Sequence, residues 1–144
     1  GTELIIWGGL GDRANDGDPN IALSDGGAYN PLSNIWRTIS SEGAPSARAN
    51  TTAALWTGSH FVVFGGMVPD GSGGYTFLND GGMYDPVSDT WVRIPSTGLL
   101  PSSGIGKQQM VFTGDSILIW SGWNGSSTYP VQGAKFTLNP LYYR

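Results

Sequence analysis

The groups in this 144-residue chain that could coordinate, titrate or stack are few, and most lie in its Gly-rich connections. The string Asp12-Arg13-Ala14-Asn15-Asp16-Gly17-Asp18-Pro19-Asn20 sets oxygen-bearing side chains around a glycine, which is what a hard cation such as Ca²⁺ needs. Ala14 takes an expected ligand position and no Glu follows at the twelfth place, so this is not an EF-hand loop. The string reads equally as a solvated polar turn, and no metal is assigned to it. His60 is the only histidine and has no evident partner in the sequence, so neither a catalytic residue nor a cofactor is expected. Three cations, Arg13, Arg48 and Lys107, sit in connections where they suit a polar or anionic ligand, although Arg48 suits equally well a brace on backbone carbonyls. Tyr75, Trp123 and Tyr129, with Phe77, stand among Gly, Ser and Asn. That mixture fits a surface that binds protein or glycan, or else rings that cap the ends of sheets.

Composition narrows the classes. Charged residues make up 12% of the chain, about half the usual share of roughly 25%. Lys and Arg number seven against eleven Asp and Glu, a net charge of −4, and phosphate binding needs clustered cations, so no nucleic-acid partner is expected. The absence of Cys excludes disulfides, thiolate metal sites and cysteine nucleophiles. No apolar run nears the ~20 residues of a membrane-spanning helix. Low charge with abundant Gly, Ser, Thr and Asn suits an extracellular or cell-surface protein. Asn50-Thr51-Thr52 and Asn124-Gly125-Ser126 fit the glycosylation pattern, a short match that arises often by chance.

The elements that must position these groups repeat. Gly26-Gly27-Ala28-Tyr29-Asn30-Pro31 returns as Gly81-Gly82-Met83-Tyr84-Asp85-Pro86, and Trp36 returns as Trp91, 55 residues on. Ile5-Ile6-Trp7-Gly8-Gly9 returns as Val62-Val63-Phe64-Gly65-Gly66 and as Leu118-Ile119-Trp120-Ser121-Gly122. A period near 50 marks a repeat architecture. Apolar runs at 3–7, 61–64 and 116–120 read as strands buried on both faces. Strands are also expected at 26–30, 35–39, 51–56, 81–85, 90–94, 108–112 and from Gly133, making ten in groups of three, four and three. Asn30-Pro31 and Asp85-Pro86 open turns in which Pro fixes φ and the Asx side chain bonds the backbone. The stretches 10–25 and 67–80 read as polar loops without elements.

At the Gly pairs, the Tyr-Asn/Asp-Pro turns and the Trp residues, the chain resembles kelch repeats of the Gly-rich bacterial type along essentially its whole length. The resemblance implies an all-β fold of propeller blades, about two and a half four-stranded antiparallel blades around a channel, in units of approximately 1–50, 51–106 and 107–144. It places Tyr29, Tyr84, Trp36 and Trp91 between blades. It departs at Ser121-Gly122 and at Phe136, which lacks the Asn/Asp-Pro step. Copper chemistry of the kind found in kelch sugar oxidases needs more than one His and a Cys, so it does not carry over. Blade geometry brings the connections that hold Arg13, Arg48, Tyr75, Lys107, Trp123 and Tyr129 to one face. The function expected is a non-enzymatic binding or scaffold module for a protein or glycan partner, with a structural subunit that completes a propeller or fibre by oligomerisation as the alternative and a kelch-type carbohydrate-active enzyme behind both. An incomplete ring leaves open whether further chain, a homo-oligomer or neither covers its ends.

Overall fold

A computed structural model describes residues 1–11, 21–49, 53–94, 104–127, 129 and 133–138. Among them every regular element is a strand: β1 (Leu4–Trp7), β2 (Leu10–Gly11), β3 (Ile21–Ala22), β4 (Gly26–Asn30), β5 (Ile35–Thr38), β6 (Ala54–Trp56), β7 (Phe61–Phe64), β8 (Met67–Pro69), β9 (Tyr75–Phe77), β10 (Gly81–Asp85), β11 (Thr90–Ile94), β12 (Gln109–Phe112), β13 (Ser116–Trp120) and β14 (Gly133–Thr137). They form antiparallel sheets ordered β1-β4-β5, β6-β7-β10-β11 and β12-β13-β14, none closed on itself. These are the ten strands that the apolar pattern predicts. The connections 10–25 and 67–80 differ from expectation, since each carries a small antiparallel hairpin, β2-β3 and β8-β9. Strands of two or three residues among breakers leave no periodicity to read.

Register follows the repeat. Leu4, Phe61 and Ile117 pair with Tyr29, Tyr84 and Phe136, and Trp7, Phe64 and Trp120 pair with Gly26, Gly81 and Gly133. The turns work through their Asx residues. Asn30 Oδ1 accepts from the N–H groups of Leu32 and Ser33, and Asp85 accepts from Val87 N–H and the Ser88 hydroxyl. Asn34 and Asp89 close the turns at φ of 56° and 55°, a region that Asn and Asp enter more readily than other non-glycine residues.

The Gly-Gly pair has a packing cause. A Cβ on Gly82 would lie 2.9 Å from Trp91 Cε3, and one on Gly81 would lie 2.8 Å from Phe64 Cδ2, so each glycine seats an aromatic ring on its own side of the sheet. In β14 the second glycine is Ala134, and no fourth strand among the described residues brings a Trp onto it. Gly8 and Gly65 have φ of 73° and 64°, and Ser121 holds the same place in the third unit at 55°.

The sheets stack in sequence. One core joins Ile5, Trp7, Ala28 and Ile39 of the first unit to Phe61, Val63, Tyr84 and Trp91 of the second. The other joins Val62, Phe64, Met83 and Ile94 to Ile117, Ile119, Phe136 and Leu138. Among the described residues, β7 is therefore the one strand buried along its whole length. The expectation of burial on both faces fails for β1 and β13, where Leu4, Ile6, Leu118 and Trp120 are exposed because no sheet among the described residues covers that side.

Candidate functional site

The β8-β9 hairpin presents its strands through one carboxylate. Asp70 Oδ1 accepts from Ser72 N–H, the Ser72 hydroxyl and Gly74 N–H at 2.8, 2.8 and 3.0 Å. These bonds, the Ser72 N–H first among them, hold the Asp70 carboxyl below its usual range. Strand β9 then puts Tyr75 and Phe77 on one face, two residues apart.

The connection into the third sheet completes the site. Gly66 N–H donates to Ile105 O, Ile105 N–H donates to Leu78 O, and Gly106 and Trp123 exchange backbone bonds of 2.8 and 2.7 Å. Trp123 is thereby held edge-on to Phe77, with ring centroids 5.2 Å apart and planes at 84°. Its indole N–H donates to Ser126 O at 2.9 Å. Lys107, at φ of 58°, extends its Nζ to 5.1 Å from the Trp123 ring centroid. Lys107 is exposed and Trp123 half-buried, and a cation over a ring that water still reaches gains only about 0.5–1 kcal/mol, little enough for Lys107 to turn towards an anionic group of a ligand. The arrangement offers apolar ring surface beside an exposed positive charge.

The residues singled out from sequence separate. Lys107 and Trp123 come together, and Tyr75 joins them through the face it shares with Phe77. Tyr129 is exposed, at 67%. Arg13, the 12–20 string and Asn50-Thr51-Thr52 lie outside the described residues.

Arg48 is fully buried, away from the surface that a ligand would meet. Its Nη1 donates to the carbonyls of Gly65 and Asp80 at 2.9 and 3.0 Å, its Nε donates to Ser46 O, and Nη2 pairs with Asp80 Oδ1 at 3.0 Å. Burial works against its charge, and the Asp80 carboxylate works to restore it. The residue locks the first two units together. Its counterpart in the next unit is Ile105, since Arg48 O and Ile105 O accept from the matching residues Gly9 and Gly66. The 57-residue step from Gly8 to Gly65 is the sequence signal for that register. Gln108 takes over the brace, donating from Nε2 to Phe64 O at 2.6 Å.

No protein-family model matches the chain, and no match emerges among curated proteins.

The opposite end of the strands carries a cleft of about 620 Å³ between the start of β1 and the turns at 57–60 and 85–89, lined in part by Glu3, Trp56, His60 and Asp85. His60 does have a neighbour, since Ser59 Oγ lies 2.8 Å from its Nδ1. Asp85 is occupied in its turn. Among the described residues no three metal-ligating side chains gather, and no helix is long and apolar enough to cross a membrane.

Proposed function

We propose that the three sheets are kelch-type propeller blades, and that the chain is a non-enzymatic binding module whose long connections form the recognition surface for a protein or glycan partner. The observation that carries the reading is the assembly of Phe77, Lys107 and Trp123 from three separate connections into one ledge, its two rings half-buried and its lysine exposed, with the exposed Tyr75 on the same face of β9. Three connections are fixed to one another by backbone bonds there, so the ledge is preorganised and loses little entropy when a partner docks. Support for the blades is the common register of the three sheets, their two successive stacking cores and the approach of the first strands β6 and β12.

The test applies the chain to an array of neutral and acidic glycans and to an array of peptides, beside Trp123→Ala and Lys107→Glu. Loss of a central aromatic contact costs over 1 kcal/mol, so binding weakens by roughly tenfold in Trp123→Ala. The Lys107→Glu change weakens acidic ligands most. Binding that survives both changes, or falls only as far as the fold is lost, contradicts the reading.

A further inference from the structure

The two cores between sheets are built the same way, and that sameness says what belongs on the two faces left open. In each core one kind of face meets another. The first kind carries Phe61, Val63, Tyr84 and Trp91 in the second sheet, and Ile117, Ile119 and Phe136 in the third. The second kind carries Ile5, Trp7 and Ala28 in the first sheet, and Val62, Phe64 and Met83 in the second. The open side of the first sheet is of the first kind. By pairing, Leu4, Ile6, Tyr29 and Trp36 stand where Phe61, Val63, Tyr84 and Trp91 stand. The open side of the third sheet is of the second kind, with Leu118 and Trp120 in the places of Ile5 and Trp7.

We infer that two copies of this chain associate head to tail, the Trp36 face of one packing on the Trp120 face of the next as the sheets already pack within the chain. The key pair is explicit. Trp7 and Trp91 lie 4.9 Å apart between the first two sheets, and their equivalents on the open faces are Trp120 and Trp36, exposed at 58% and 54%. The receiving face is a shallow, open depression of about 670 Å³ among Val111, Leu118, Trp120, Gly133 and Lys135. Trp120 already lies on Gly133 as Trp7 lies on Gly26. Faces of opposite kind on one chain make a heterologous contact, which closes into a ring when the rotation permits and otherwise extends. The inference uses the sheet faces alone and stands apart from the ligand of the loop ledge.

The experiment is light scattering on the 144-residue chain over a wide concentration range, with Trp36→Arg and Trp120→Arg, both checked for folding by circular dichroism. The wild type is expected to exceed the 15.2 kDa of one chain as concentration rises. Each variant alone associates at least tenfold more weakly, because every contact it makes contains the Arg. Mixing the two variants restores association as far as a pair, since the intact Trp120 of one meets the intact Trp36 of the other while both remaining faces carry Arg. Because the chain has no Cys, Thr38→Cys and Lys135→Cys chains joined by a short bis-maleimide add a second reading, with cross-links between the two kinds of chain and not within either. A monomer at every concentration overturns the inference. So does association that is indifferent to either Arg, is not restored by mixing, or cross-links Thr38→Cys to itself.

Discussion

Tyr84 and Trp91 in the second sheet, and Tyr29 and Trp36 in the first, are the same motif in two surroundings. Locally the copies agree. The ring centroids are 5.1 and 5.0 Å apart, and each tyrosine hydroxyl donates to the residue that closes the turn, to Asp89 at 2.6 Å and to Asn34 at 2.8 Å. Yet Trp91 is 8% exposed and Trp36 54%. The second copy has the first unit against it: Trp91 Nε1 donates to Ser40 O, Ser40 N–H donates to Asp89, and Arg37 donates to the Tyr84 hydroxyl. The motif builds the hairpin, while the neighbouring sheet supplies the burial and hence most of the stability.

That difference is open to attack by mutation, all at dilute concentration where single chains are compared. Trp91→Ala removes a buried ring and is expected to cost about 3–5 kcal/mol, whereas Trp36→Ala costs under about 1 kcal/mol. Urea unfolding of the two variants reads the gap, and equal losses would mean that the cores between sheets are not what stabilises the chain. Arg48→Met comes next, at about 3 kcal/mol, because it leaves the carbonyls of Gly65 and Asp80 without their donor and Asp80 without its ion pair. Gln108→Leu tests the neutral version of that brace. It removes one bond to Phe64 O and is expected to cost about 1–2 kcal/mol, so melting should rank it clearly above Arg48→Met in stability.

The smallest effect depends on pH. Hydrogen bonds from Tyr84 and then from Ser40 N–H hold the Asp89 carboxyl below its usual range, and Arg37 does the same for Glu3. A folded-state pKa below the unfolded one adds stability that is present above the unfolded value, near 4, and is lost as pH falls through the folded value. Melting temperature should therefore fall below about pH 4. Asp89→Asn, which copies the first turn, should change stability by only about a few tenths of a kcal/mol at neutral pH, since the site is exposed, and should flatten part of the acid limb. An unchanged acid limb in that variant would exclude Asp89 as a contributor.

The same contrast explains what was legible in the sequence. All ten strands of the three larger sheets followed from apolar runs and turn chemistry, because those signals are local. Burial was not local: Leu118 and Val62 occupy one repeat position, and only the latter has a sheet over it. Arg48 resembled Lys107 as a cation in a connection, and no local signal separates a buried brace from an exposed side chain. The ledge was legible in part. Lys107, Trp123 and Tyr75 stood out by type, but their meeting depends on the β8-β9 hairpin and on the Gly106–Trp123 backbone pair, which short, breaker-rich stretches conceal.

Hydrogen exchange read by mass spectrometry at dilute concentration tests the account most directly, by comparing β10 with β4. Both are inner strands paired on each side, both carry the Gly-Gly-x-Tyr motif, and they differ in being covered on two faces or on one. The account predicts markedly slower exchange across Gly81–Asp85 than across Gly26–Asn30. Equal protection, or slower exchange in Gly26–Asn30, would contradict the claim that stacking of the sheets, rather than the repeated motif itself, holds this chain together.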